Sequence, residues 1–157
     1  MPIGRLVSKG GMKAVCEYYA ALGDEFIAAL NDMLILDAII CNVDRHFGNF
    51  GFLVDNRTNK VVAPAPLFDH GNSLFNLEGR DDLVSDKALS DYADTLVPCV
   101  YDDFIGTAKQ VLSNKHREGP RRLLDFRFKR HSRYNLDSKR LKLIEEQIHK
   151  RAKELLK

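Results

Sequence analysis

At 157 residues and 17.9 kDa, the chain has room for a single domain spanning 1–157, with a core that needs no cross-links. Hydrophobic residues make up 45% and charged residues 29%, which excludes a disordered segment and fits an ordinary globular chain. The net charge of +2 conceals an asymmetry: residues 1–114 carry 9 basic and 16 acidic side chains, whereas residues 115–157 carry 15 and 6. Such a basic segment reads first as a solvated face and second as a contact for an acidic partner. No nucleic-acid motif accompanies it, so direct contact with nucleic acid is not expected.

Three cysteines (Cys16, Cys41, Cys99) form no CxxC pair, and their odd number argues against a disulfide framework. A reduced, cytoplasmic setting is the expectation. No run drawn from the hydrophobic set is longer than that from Phe26 to Leu30, which is far too short for a membrane span, and MPIGRLVSKGG holds no signal core.

In chain order, residues 12–22 read as a helix stopped by Gly23, and Asp24 as the cap of a second helix running to about Cys41. Leu34, Ile35, Leu36, Ile39 and Ile40 surround that second helix, and a helix apolar on all sides is a buried one. It delivers the chain to Asn42-Val43-Asp44. Phe50 to Val54 and Lys60 to Ala63 then flank Asp55-Asn56-Arg57-Thr58-Asn59 as a hairpin, with Pro64 and Pro66 ending the second strand. Leu67-Phe68 leads on to Asp69-His70-Gly71. Residues 76–99 read as mostly irregular and acidic. Helices resume at about 101–113, 117–126 and 137–156, the last with Leu141, Ile144, Ile148, Ala152 and Leu155 at helical spacing. The fold expected is mainly α, with one small β-hairpin inserted after the buried helix.

The segment Asp44-Arg45-His46-Phe47-Gly48-Asn49 carries the chemistry. Phosphoryl transfer needs an acid to accept the proton of the attacking hydroxyl, and oxygen ligands for Mg²⁺. Asp44 and Asn49 have the D-x-x-x-x-N spacing of a kinase catalytic loop, and Asp69-x-Gly71 stands where a metal-binding D-x-G would follow. At background residue frequencies, D-x-H-x-x-N with a D-x-G downstream arises by chance in about one chain in a thousand of this length.

D-R-H-x-x-N followed by D-x-G resembles the catalytic lobe of the HipA-like Ser/Thr kinases and of the phosphatidylinositol kinase-like fold. Within that group the wording DRHFGNFGFLVD…APAPLFDHGNSLF is most similar to the cell-translocating kinase A subgroup, over roughly residues 32–75. The resemblance implies Asp44 as catalytic base, Asn49 and Asp69 as ligands of Mg²⁺ and so of ATP, and His46 as a support for the loop or the transferred phosphate. HipA has the form D-x-H-x-K-N, and Gly48 stands here in place of that lysine, so no phosphate contact is carried over from it.

Only 43 residues precede Asp44, and they read as helices. Lys9-Gly10-Gly11 is not a G-x-G-x-x-G, and nothing resembles V-A-I-K. The chain thus reads as a carboxy-terminal lobe whose nucleotide-covering half lies elsewhere, in a longer gene or a partner chain. Alone it is expected to be inactive.

Besides that missing lobe, the expected partners are a protein substrate and a second copy of the chain, with Tyr18, Tyr19, Phe50 and Phe68 as candidate exposed apolar groups. Two alternatives stand beside the kinase: a non-catalytic interaction module, and a metal-dependent hydrolase using Asp44, His46, Asp69 and His70.

Overall fold

The structure, a computed structural model, describes residues 1–7, 10–78 and 85–157. Among these residues, seven helical and strand elements follow a short 3-10 turn at Ile3–Arg5 and α1 (Gly11–Leu22): α2 (Asp24–Ile40), β1 (Phe52–Val54), β2 (Val61–Pro64), α3 (Asp86–Thr95), α4 (Phe104–Val111), α5 (Glu118–Arg122) and α6 (Ser138–Leu156). The fold is mainly α with one two-stranded antiparallel hairpin, as the pattern of apolar residues predicts. No helix among the described residues is long and apolar enough to cross a membrane.

The central helix is α2, and its amino acids explain why. Leu30, Met33 and Leu34 near its middle belong to one apolar cluster, shared with Val15 and Tyr19 of α1 and with Phe50 and Phe52. Its carboxy-terminal half contributes Ile35, Ala38 and Ile39 to a second, shared with Leu89 of α3, Phe104 of α4 and Ile144 and Ile148 of α6. From Met33 onward none of its residues is exposed, which is how Asp37 comes to be fully buried within it.

Several boundaries differ from the sequence reading. Asp24 is the first residue of α2 rather than its cap: Gly23, at φ 124°, holds the cap position, and Asp24 favours the helix as a first-turn acid. The helices expected over 101–113 and 117–126 are shorter, and Asp103 starts α4 by accepting a bond from the Gly106 amide at 2.5 Å. Within 76–99, expected to be irregular, lies α3, capped by Ser85 Oγ at 3.1 Å from the Ala88 amide. Residues 79–84 of that stretch, like Lys9 of Lys9-Gly10-Gly11, lie outside the described residues.

Tyr19 and Phe50 are core residues and Tyr18 is half-buried, so of the four apolar groups expected at the surface only Phe68 is exposed. The cysteines also divide: Cys99 is exposed, whereas Cys41 is buried and burial pushes its thiol up to about 11.

The hairpin pairs Phe52 with Pro64, Leu53 with Ala63 and Val54 with Val61, with an irregularity between Leu53 and Val54. Asp55 Oδ1 closes its turn by accepting from the amides of Arg57 (2.8 Å) and Thr58 (2.9 Å), and these two bonds lower the pKa of its carboxyl. Nothing local in the sequence signals that the start of the chain joins this hairpin. Pro2 bridges Gly51, Ile3 N–H donates to Phe50 O (2.9 Å), and Phe52 N–H donates to Met1 O (2.9 Å).

Gly51 is required at that crossing. A Cβ there would collide with the Met1 carbonyl oxygen and lie 2.9 Å from the Ile3 nitrogen, both of them backbone atoms. Gly51→Ala is therefore expected to displace the first residues and destabilise the chain by about 1–3 kcal/mol in urea unfolding. The Ile3 amide should lose its hydrogen-exchange protection, and an unchanged exchange rate would refute the pairing.

Candidate functional site

The site begins where α2 stops. Cys41 adopts a left-handed conformation (φ 51°) and turns the chain out of the helix. The next residue, Asn42, is fully buried; its Nδ2 donates to Asp37 Oδ1 (3.1 Å), and its Oδ1 accepts from the Asp44 amide (3.3 Å). The segment 72–74 lies alongside, with Val43 N–H bonded to Asn72 O (3.4 Å) and Leu74 N–H to Ile40 O (2.7 Å). The loop after the helix and the loop after the hairpin are therefore neighbours.

Arg45 locks them together. It is 0% exposed, as is Asp37, to which it makes a two-pronged ion pair: Nε to Oδ2 at 2.8 Å and an Nη2 bond to Oδ1 at 3.0 Å. Nη1 donates to the carbonyls of Asn49 (2.9 Å) and Phe68 (2.7 Å), and Nη2 lies 3.0 Å from His70 Nδ1. One planar guanidinium thus fixes α2, the 44–49 turn and the 68–70 segment, a task for which a lysine lacks the fork of donors. Sequence reasoning did not find Asp37, whose only local signal is a lone acid in the apolar run Leu34-Ile35-Leu36-Asp37-Ala38-Ile39-Ile40.

The structure brings Asp44 and Asn49 together. Asn49 is buried and its Nδ2 donates to the Asp44 carbonyl (3.0 Å), which fixes the amide so that Oδ1 is its remaining acceptor. The Asp44 carboxylate accepts from Asn72 Nδ2 at Oδ2 (2.9 Å). Asn72 is a site residue the sequence reading passed over as part of the loop after Asp69. Asp69 itself is exposed with φ 59°, between Phe68, whose carbonyl Arg45 holds, and His70, whose ring it holds. Among the described residues no hydrogen bond or ion pair engages the Asp69 carboxylate, Asp44 Oδ1 or Asn49 Oδ1.

His46 is exposed and folds back over its own turn, its Nδ1 accepting from the Gly48 amide at 3.0 Å. In the neutral ring the proton then resides on Nε2. A Cβ on residue 48 would sit 2.8 Å from His46 Cε1, so this ring position goes with glycine where the HipA motif has lysine.

Chemically, two carboxylates and an amide oxygen are hard donors of the kind Mg²⁺ takes alongside phosphate oxygens. Among the described residues no three His, Cys, Asp or Glu side chains group as a metal site, which is the arrangement the hydrolase alternative requires.

Comparison with known proteins gives one partial likeness. Over 59 residues, 38% of this chain, it is 42% identical to the serine/threonine-protein kinase CtkA of Helicobacter pylori. The match spans 17% of that protein's length. No family model and no solved structure matches. Over the matched stretch, then, the chain is similar to part of a serine/threonine-protein kinase.

Proposed function

We propose that this chain is the catalytic-lobe part of a Ser/Thr protein kinase of HipA-like type, transferring the γ-phosphoryl group of Mg-ATP to a protein hydroxyl. The observation that carries the reading is the clasp made by Arg45, which holds the Asp44–Asn49 turn against the segment bearing Asp69 while leaving oxygen donors on both sides unengaged. The partial likeness to a serine/threonine-protein kinase supports it.

In this reading Asp44 accepts the proton of the acceptor hydroxyl through its carboxylate, which Asn72 orients. Asn49 and Asp69 are the residues that would hold Mg²⁺, and the bound ion would neutralise charge developing on the phosphates. His46, with Nδ1 engaged by the Gly48 amide, presents Nε2–H as a donor to a phosphate oxygen. ATP also needs a strand-rich lobe with a phosphate-covering loop and a lysine, here assigned to a preceding segment of the same polypeptide or to a partner chain.

The test is transfer of labelled γ-phosphate to a protein acceptor by residues 1–157 alone, and again after co-expression with the polypeptide encoded upstream. Expected are no incorporation and very weak Mg-ATP binding by the isolated chain. Mg²⁺-dependent incorporation into serine or threonine should appear once the second lobe is present. A two-lobed protein that binds Mg-ATP and transfers nothing would reassign the chain as a non-catalytic interaction module.

A further inference from the structure

Between the segment that follows Asp69 and the beginning of α6 lies an open cavity of about 650 Å³. Leu74, Phe128 and Ile144 give it apolar surface, while His70, Ser73 and Arg140 give it polar edges. The Arg140 guanidinium is anchored, donating through Nη1 to Glu78 O (2.8 Å) and through Nη2 to Phe75 O (2.7 Å). Among the described residues its Nε has no partner, and neither does the hydroxyl of Ser73, a residue only 6% exposed. A guanidinium N–H only donates, so what the cavity wall lacks is an acceptor oxygen.

The surroundings point the same way. Lys129, Arg130, Arg133 and Lys139 flank the lining residues in sequence, all are exposed, and none forms an ion pair among the described residues. The single acid among the described lining residues, Asp137, caps α6, accepting from the amides of Lys139 (2.9 Å) and Arg140 (3.3 Å). A basic rim around a partly apolar cavity matches an acidic peptide better than a nucleic acid, which would want several aromatic faces for stacking where the described lining residues offer only Phe128 and the His70 ring.

We propose that this cavity docks the protein acceptor, taking an extended segment in which an apolar side chain and flanking Asp or Glu residues lie next to the hydroxyl-bearing residue. The assignment of the occupant as an acceptor rests on the kinase reading above. Placement favours it: His70 and Gly71 line the cavity and directly follow Asp69, so a peptide seated there passes the loop that would hold the metal. The carboxylates face the rim cations, and the apolar side chain covers Leu74 and Ile144.

The experiment measures fluorescence anisotropy of labelled peptides with residues 1–157: a Ser peptide bearing one Leu and several Glu, the same peptide with Lys for Glu, and a single-stranded oligonucleotide of equal charge. The acidic peptide should bind at least tenfold tighter than the basic one and weaken with salt. Lys129→Glu with Arg133→Glu, a surface pair whose folding is checked by circular dichroism, should cut its affinity about tenfold. Equal binding of the two peptides, or an unaffected double variant, overturns the proposal. Tighter binding of the oligonucleotide, with displacement of the peptide, overturns it in favour of a nucleic-acid surface. In the two-lobed protein, transfer to both peptides with equal KM would defeat the docking site alone. Selective binding without transfer would defeat the kinase reading and leave the acidic-peptide site standing.

Discussion

Arg45→Met is expected to destabilise the chain by about 3–5 kcal/mol, because it leaves the Asp37 carboxylate charged, buried and without its partner. A domain of this size is stable by about 5–15 kcal/mol, so the variant should be partly unfolded near physiological temperature. The loss has two sources. The ion pair between Arg45 and Asp37 is inaccessible to water on both sides. The carbonyls of Asn49 and Phe68 also lose their donor. Arg45→Lys should recover little, since an ammonium cannot reach two carboxylate oxygens and two carbonyls at once. Asp37→Leu combined with Arg45→Met removes both charges and should be markedly more stable than Arg45→Met alone. Urea unfolding of the three variants decides the matter. A loss below about 1 kcal/mol in Arg45→Met would place the pair among ordinary surface bridges and contradict the burial described.

The second large effect is on chemistry. In the two-lobed protein, Asp44→Asn should lower phosphoryl transfer by about 10²–10⁴-fold, the usual contribution of a positioned proton acceptor. The amide keeps the shape of the carboxylate and still offers an oxygen to Asn72 Nδ2, so folding should hold. Nucleotide affinity should hold too. Asp69→Asn should differ: a neutral ligand attracts Mg²⁺ less, and Mg-ATP affinity should fall along with turnover. Measuring transfer and nucleotide affinity side by side separates the two roles. Wild-type turnover in Asp44→Asn would remove Asp44 as the base and leave the turn a structural one.

What was legible in the sequence follows from how local its causes are. The buried α2 announces itself because Leu34, Ile35, Leu36, Ile39 and Ile40 leave it no polar face. The hairpin is announced by the Asp55–Asn59 turn, whose side-chain-to-backbone bonds span two or three residues. By contrast α3 packs through Leu89, Ser90 and Ala93, a face too small and too polar to register as periodic apolar residues. The pairing of Pro2 with Gly51 and the contact of Asn72 with Asp44 join positions far apart in the chain, which no local rule connects.

Asp37 was missed for a related reason. Acids and bases are read in pairs three or four apart on one helix, whereas its partner lies eight residues on, beyond the helix end. The motif residues themselves were visible through spacing. The arginine that assembles them was visible only as a neighbour.

Because α2 belongs to both apolar clusters and holds the site through Asp37, the candidate site has no hinge of its own. Opening it means withdrawing a buried ion pair from the helix on which the entire core is built. In energetic terms the site and the fold form one cooperative unit, so a ligand bound between the two loops stabilises the whole chain by RT ln(1 + [L]/Kd), about 2.7 kcal/mol at a hundredfold excess over Kd. The melting temperature of the chain is then a direct gauge of site occupancy, for nucleotide, metal or a docking lobe alike.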